Sequence, residues 1–353
     1  MVKGKRNGYI DLIKFLFAIM IADYHFRSGF LPGGFLAVEG FFMISGYFMM
    51  KSIEKSDKSE STGISTVKFM YHKYKGLLPI LFVSMVIGFV VYAVIYRQGF
   101  LEIIKLIPLM LFEIFPLQTA GFDSYFVVGI SWYLSSMFLS LAILYPIIRR
   151  NKTSVTLTVC PLIALLGYGI LCGRYGRICE LGKEFLEYSI LQNGIIRALA
   201  GCSLGCLISE ISNKLKEKEF TKFAKTVFTV LEIILFALIV CMMHYLYANI
   251  YDYVVVFLLF GLLIIGISGI SYTSQLCNPK WSKFLGTAST LIVLNHYCWY
   301  DFVTNKFGGL KLAERYLIYA GLVIATCVAV HYLSKLLSYG CAKLFKKDRW
   351  VKQ

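Results

Sequence analysis

Charged side chains are scarce in this sequence, and their scarcity limits the class of protein to which it can belong. Charged residues make up 16% of its 353 residues, whereas hydrophobic residues make up 58%. A soluble globular protein contains about 25% charged residues. Here the apolar residues form roughly ten blocks long enough to cross a bilayer as helices, and the mean hydropathy is +0.68. The composition excludes a water-soluble protein and predicts an all-α, polytopic membrane protein.

Metal-binding motifs are missing as well. The ten cysteines include no CxxC pair and no Cys/His pattern with metal-ligand spacing. Most of them lie in apolar runs, where cysteine serves as a small hydrophobic residue, so we expect no metal. The net charge of +16 is typical of cytoplasmic loops beside anionic lipid headgroups in a membrane protein. Membrane lipids are therefore the expected partners of these charges, and nucleic acid is not.

The apolar blocks and the charges between them predict the topology. The strongest blocks are residues 9–27, 35–50, 77–96, 127–148, 154–172, 189–210, 226–247, 253–270, 284–303 and 316–337. The segment 101–118 is ambiguous, because acidic, basic and proline residues interrupt it. If this segment does not cross, roughly three quarters of the Lys and Arg residues lie on the cytoplasmic side, in agreement with the positive-inside rule. If it crosses, Arg149, Arg150 and Lys152 fall outside.

We therefore predict one bundle of about ten transmembrane helices in the plasma membrane, with both termini cytoplasmic. The segment 101–118 is expected to be interfacial or re-entrant. Residues 1–340 would form a single transmembrane domain, and residues 341–353 a basic cytoplasmic tail.

The first predicted span carries ionisable side chains, which are costly inside a membrane and are therefore candidates for function. Lys14 and His25 are eleven residues apart. This separation is close to three helical turns, so the two residues share one face and lie about 16 Å apart along the axis. Asp11 lies one turn before Lys14 and is positioned to pair with it. Such a polar stripe is typical of the wall of a pathway through a membrane.

A carboxylate on the second predicted span is expected at the depth of His25. Glu39 lies about one turn inward from the outer end of that span, and a short loop joins the two spans. A carboxylate beside an imidazole fixes its tautomer and raises its basicity, as a general base requires. The alternative is a buried ion pair that only holds two helices together. The sequence leaves both interpretations open.

Five further residues are candidates for binding a ligand. Trp132 either lines a sugar-binding mouth or belongs to the interfacial aromatic belt. Arg197 lies in IIRALAGCSLGCL, whose G-x-x-x-G spacing is typical of a close-packing helix face, and His296 lies in the middle of a late span. Lys73 and Lys75 precede an apolar run, where they either clamp phosphates or anchor the helix as positive-inside charges. We consider Trp132, Arg197 and His296 to be candidate substrate-binding residues.

Two stretches near the N-terminus resemble the opening of the membrane-bound acyltransferase-3 family, namely YIDLIKFLFAIMIADYH and GGFLAVEGFFMISGYFM. Members share an Asp before a basic residue, a basic-x10-His spacing on the first helix, and a Gly-Val-Asp/Glu-x-Phe-Phe-x-x-Ser-Gly block on the second. The matching positions here are Asp11, Lys14, His25, Glu39, Phe41, Phe42, Ser45 and Gly46. The later segments SWYLSSMFLSLAILYP, IIRALAGCSLGCL and LGTASTLIVLNH are also similar to family elements, so the resemblance runs from about residue 6 to about residue 340.

The sequence departs from the family pattern at the start of the third helix. The family commonly has an Arg-x-x-Arg element just before a Pro, and the corresponding positions in KYKGLLP are Lys73 and Gly76. The second cation is therefore missing unless Lys75 or His72 replaces it. No hydrolase-like extracellular domain follows, so we expect a stand-alone member.

The resemblance implies transfer of an acyl group, most often acetyl, from cytoplasmic acyl-CoA to a hydroxyl of an envelope carbohydrate or exopolysaccharide. Lys14, Lys73 and Lys75 would attract the phosphates of acetyl-CoA or another acyl-CoA. His25, oriented by Glu39, would act as a general base or as a transient acyl carrier.

Two functions of other classes compete with this one. A polar stripe through a bundle also suits a transporter or flippase, although such proteins tend to show repeated halves, and no such symmetry is visible in the sequence. The second alternative is a non-catalytic membrane partner in polysaccharide assembly.

Overall fold

The computed structural model of the protein describes residues 6–26, 29–120, 131–178, 192–277 and 279–347, and in these ranges the fold is all-α. The first seven helices are α1 (Gly8–His25), α2 (Ala37–Lys55), α3 (Thr62–Ile95), α4 (Phe100–Ile114), α5 (Ser131–Arg150), α6 (Lys152–Ser154) and α7 (Cys160–Tyr175). The remaining helices are α8 (Asn193–Lys216), α9 (Lys222–Tyr245), α10 (Asp252–Ser268), α11 (Tyr272–Leu276), α12 (Pro279–Asn295), α13 (Tyr297–Lys306) and α14 (Leu312–Lys347). A π-helical turn, Val155–Val159, joins α6 to α7.

Seven helical segments of the described ranges are long and apolar enough to cross a membrane, in agreement with a polytopic membrane protein. Helices also occupy the other predicted spans. The first of them, α1, contains Asp11, Lys14 and Asp23, which lower its mean hydropathy, and α10 has only 17 residues. The total of ten crossings and the cytoplasmic position of both termini stay predictions.

Helices α2 and α8 form the centre of the bundle, where they pack along each other. Glycines allow this close contact. A Cβ atom added at Gly46 would lie 2.0 Å from the carbonyl oxygen of Cys202, and one added at Gly205 would lie 2.0 Å from that of Met43. Since real Cβ atoms do not approach carbonyl oxygens so closely, only glycine fits at these positions. The predicted close-packing face of α8 is therefore confirmed.

Helices α3, α9 and α14 lie at the periphery, because only a minority of their side chains are buried in the isolated chain. A bilayer would cover these surfaces. Helix α1 packs along α12 and thus joins the two ends of the chain. The predicted tail at 341–353 begins within α14, which continues to Lys347, and residues 348–353 lie outside the described ranges.

Ion pairs of Lys152, the first residue of α6, hold the end of α2 and the end of the preceding helix α5 on the same face of the bundle. Lys152 Nζ lies 3.0 Å from a carboxylate oxygen of Glu54 and 2.6 Å from one of Glu210. Because α3 begins at this face and α5 ends at it, the segment between them begins and ends on the opposite face. Helix α4 within that segment has 15 residues, about 22 Å, which is shorter than the ~30 Å hydrocarbon core. Both observations favour an interfacial or re-entrant position for 101–118.

Candidate active site

Three cavities follow α1 from one side of the bundle to the other. An inner cavity of about 370 Å³ lies at the Lys14 end. A small cavity of about 20 Å³ lies beside His25, which also lines an outer cavity of about 460 Å³. Phe41, Tyr133 and Val293 line both the inner and the small cavity. His25 is therefore positioned between the inner and the outer cavity, which are named here for the orientation that the Lys and Arg distribution predicts.

Two lysines from different helices line the inner cavity. Lys14 comes from α1 and Lys73 from α3, and both side chains line this cavity. Among the described residues, neither lysine has an ion-pair or hydrogen-bond partner. A cation without a carboxylate partner on the wall of a cavity is suited to bind an anionic ligand. The expectation that Lys14 and Lys73 act together thus has a geometric basis.

The expected pairing of Asp11 with Lys14 is wrong. The Asp11 carboxylate accepts hydrogen bonds from the Arg6 guanidinium at 2.5 and 2.8 Å. Gly286 on α12 permits this pair, since an added Cβ there would lie 2.1 Å from an Asp11 oxygen. Arginine binds a carboxylate with two parallel hydrogen bonds, which a lysine cannot do. Lys14 consequently stays available to the cavity, which Arg6 also lines.

Lys75 does not join the other two lysines. Its ammonium group lies 5.6 Å from the centre of the Tyr71 ring, and the side chain is exposed and outside the lining of the inner cavity. Gly76, in contrast, lines the cavity, and a Cβ added there would meet no atom within 4 Å. The position of the second family cation is therefore open space, and the third cation of this cavity is Arg6, which sequence reasoning missed.

His25 is the last residue of α1 and is surrounded by aromatic rings. Its ring centre lies 4.9 Å from that of Tyr24, 5.1 Å from that of His296 and 5.1 Å from that of Tyr297. His25 and His296, although far apart in sequence, thus lie side by side. Packing of α1 against α12 and α13 creates this pair, which no local sequence pattern specifies.

Glu39 pairs with Arg197 rather than with His25. The fully buried Glu39 carboxylate lies 2.7 Å from Nε and 2.5 Å from Nη2 of Arg197, and it also accepts a hydrogen bond from the Tyr168 hydroxyl. The described contacts of Glu39 include none with His25. A carboxylate removed from water needs a counter-charge, and the Arg197 guanidinium supplies it. The expectation that Glu39 directly orients His25 is therefore not met.

Trp132 connects this ion pair to the small cavity. The Arg197 guanidinium lies 5.5 Å from the centre of the Trp132 ring, a distance typical of a cation–π contact. Trp132 in turn lines the small cavity together with His25. This position in the bundle interior favours a role at the site over membership of the interfacial belt.

Aromatic and polar side chains surround the outer cavity. Its wall contains four tyrosines in addition to His25, namely Tyr24, Tyr247, Tyr297 and Tyr300. Asp23 also lines it and accepts hydrogen bonds from the backbone N–H of Leu31 at 2.5 Å, from that of Phe30 at 3.1 Å and from the Tyr316 hydroxyl at 2.7 Å. Asp23 therefore fixes the loop after α1. A carboxylate two residues before His25 in an apolar span is the signal by which the sequence could have identified it.

The fold and its row of cavities define a helical membrane protein with a polar site in the bundle interior. A family model described as an acyltransferase domain matches residues 7–333, essentially the whole chain. The chain therefore belongs to the acyltransferase-3 family, which confirms the resemblance noted in the sequence, and it is a membrane acyltransferase. A search of curated proteins and a search of solved structures found no match.

Proposed function

We propose that this acyltransferase takes an acyl group, most readily acetyl, from cytoplasmic acyl-CoA and transfers it across the plasma membrane to a hydroxyl of an envelope carbohydrate. His25 is the reacting group, as a general base or as a transient acyl carrier. The observation that carries this proposal is the position of His25, which lines both the small cavity and the outer cavity. A residue with access to both spaces can act on a donor from one side and an acceptor from the other.

The inner cavity supports acyl-CoA as the donor. CoA is a polyanion with a long, thin pantetheine arm, and its phosphates require cations at the cavity entrance. Lys14 and Lys73 contribute two positive charges without a carboxylate partner to this cavity, and Arg6, whose charge Asp11 balances, also lines it. The arm would then extend along α1 towards the small cavity, which shares part of its lining with the inner one.

The small cavity supports a short acyl group. Its volume of about 20 Å³ is enough for one water-sized group, which is the size of an acetyl methyl. Ile21, Val38 and Phe41 provide apolar walls beside His25. A longer acyl chain would overlap these side chains, so discrimination against it follows from packing.

The outer cavity supports a carbohydrate acceptor. Pockets for small polar ligands combine aromatic surfaces with a few polar groups that fix orientation. The four tyrosines that line this cavity supply both rings and hydroxyl groups, and Asp23 supplies a carboxylate near His25. A sugar hydroxyl that enters from this side would reach the imidazole.

The test uses acetyl-CoA labelled in the acetyl group and membranes from cells with and without the gene. Label should become covalently attached to envelope carbohydrate only when the protein is present. His25→Ala should reduce transfer by about 10²–10⁴-fold, the usual contribution of a positioned base.

The matched control is His331→Ala, since His331 lies on the peripheral helix α14 and outside the three cavities. This variant should transfer acetyl at the wild-type rate. Full activity of His25→Ala would reject the proposed role of His25. Failure of the wild-type protein to attach any label would reject the proposed function.

A further inference from the structure

A second histidine lies fully buried beside His25. His296 separates α12 from α13 and has no exposed surface, and its ring centre lies 5.1 Å from that of His25. On either side of it in sequence, Val293 lines the small cavity and Tyr297 lines the outer cavity. His25 lines both of these cavities, and the buried His296 ring packs directly behind it.

The hydrogen bonds of His296 determine its tautomer. Nδ1 lies 3.0 Å from the backbone carbonyl oxygen of Ile292. A carbonyl oxygen only accepts hydrogen bonds, so Nδ1 carries the hydrogen and a neutral ring presents Nε2 as an acceptor. Nε2 is buried and has no hydrogen-bond partner among the described residues. A buried acceptor without a donor is unfavourable, and a ligand hydroxyl would supply that donor.

Nearby carboxylates are already engaged. Glu39 binds Arg197 and Tyr168, and Asp23 accepts hydrogen bonds from the loop after α1 and from Tyr316. The unpartnered Nε2 of His296 is thus an acceptor on a ring that packs against His25, and it is available for a proton.

We propose that His25 carries the acyl group and that His296 is the base that takes the proton of the acceptor hydroxyl, an inference that rests on the proposed function. When a neutral imidazole is acylated, one ring nitrogen is bonded to the acyl carbon and the other carries a hydrogen. The ring therefore has no free lone pair for a proton, and a second base is required.

The reaction balances in two steps. First, a His25 nitrogen attacks the thioester carbonyl, a C–N bond forms, the C–S bond breaks, and CoA leaves as the thiolate with the electron pair. Second, the acceptor oxygen attacks the acyl-imidazolium, a C–O bond forms and the C–N bond breaks, which returns its electron pair to His25. The hydroxyl proton passes to His296 Nε2 and is then released to water on the outer side, and the CoA thiolate takes a proton from water on the inner side.

The first experiment uses the unmodified protein without acceptor. In purified protein mixed with acetyl-CoA and labelled free CoA, label should exchange into acetyl-CoA, because the first step is reversible without a sugar. Such exchange is a signature of a covalent intermediate. Transfer to envelope carbohydrate without any exchange would overturn the inference and leave the proposed function intact, whereas loss of both would reject the proposed function itself.

The second experiment separates the two histidines. His296→Gln keeps an amide donor for the Ile292 carbonyl but removes the base. We expect it to retain CoA exchange and to lose about 10²–10⁴-fold in transfer to envelope carbohydrate. His25→Ala should lose both reactions, and His331→Gln, the matched control, should keep both.

Two results for His296 would overturn the proposal. One is wild-type transfer by His296→Gln, and the other is equal loss of exchange and transfer in a variant that still binds acetyl-CoA. His296→Asn is measured in parallel, with thermal unfolding of each variant in detergent. Loss of folding in both variants would assign His296 a structural role and would also overturn the proposal.

Discussion

The ion pair of Glu39 and Arg197 shows how single residues determine the shape of this site. Both side chains are almost completely buried, and the cost of removing two charges from water is offset only when their hydrogen bonds are satisfied. Tyr168 and the ring of Trp132 complete the arrangement. Because Trp132 also borders the small cavity beside His25, the pair supports a wall of the site.

We expect Glu39→Gln to lower the free energy of unfolding by about 3–5 kcal/mol, because it leaves the Arg197 guanidinium buried without a counter-charge. Tyr168→Phe removes one hydrogen bond to a charged group and should cost about 1.5–3 kcal/mol. Thermal unfolding in detergent measures both effects. Unchanged unfolding together with lost transfer in Glu39→Gln would contradict this interpretation, since Glu39 would then act on the reaction directly.

The two lysines near the start of the third span differ in a way that the sequence does not reveal. Lys73 lines the inner cavity, whereas Lys75 is exposed outside it. We expect Lys73→Gln to weaken acetyl-CoA binding about 10- to 100-fold, since a lost hydrogen bond to a charged group is worth about 1.5–3 kcal/mol. Lys75→Gln, the matched control, should have little effect.

Binding measured by titration at low and at high salt tests this difference. The Lys73 contribution should decrease as salt rises, because mobile ions screen charges in an open cavity. Equal weakening by the two substitutions at every salt concentration would show that the phosphates do not bind in the inner cavity.

Residues whose positions follow from local periodicity could be predicted, and residues whose partners lie on distant helices could not. The shared face of Lys14 and His25 follows from helix geometry alone, and both line cavities along α1. The partners of Glu39 lie 158 and 129 residues away in sequence. Which residues pair with Glu39 depends on which helices pack against each other. A single sequence does not indicate this directly.

At the scale of whole helices, glycine spacing controls how closely the central pair can approach. Gly46 and Gly205 each face a backbone carbonyl oxygen of the opposite helix. The helix axes can be close only because these positions lack a Cβ atom. This contact holds Glu39 on α2 opposite Arg197 on α8. The close packing of the two helices therefore determines which residues form the buried ion pair.

Gly46→Ala should therefore destabilise the protein by about 1–3 kcal/mol, the usual cost of overpacking. Gly173→Ala provides a matched control in a helix, since an added Cβ there meets no atom within 4 Å. That substitution should be neutral or stabilising by up to about 1 kcal/mol, because alanine favours helix. Thermal unfolding in detergent distinguishes the two variants, and an equal effect of both would contradict the close packing of α2 and α8.

At the scale of the whole molecule, two independent observations bear on the topology. The distribution of Lys and Arg predicts which face is cytoplasmic, whereas the ion pairs of Lys152 with Glu54 and Glu210 establish only that the ends of α2 and α5 share a face. The distribution of Lys and Arg predicts the orientation of the bundle in the membrane, and the ion pairs give the position of the two helix ends relative to each other. An experiment can therefore examine the two separately.

Reporters inserted at Lys58 and at Lys152 should report the same side of the membrane, because both positions flank the face that these ion pairs define. The positive-inside rule further predicts that this side is cytoplasmic, that a reporter at the C-terminus is also cytoplasmic, and that one at Arg177 is external. Opposite sides for Lys58 and Lys152 would contradict the structure itself. The same side with the orientation reversed would leave the fold intact but would put the inner cavity, with Lys14 and Lys73, on the external face. Cytoplasmic acyl-CoA could then no longer be the donor.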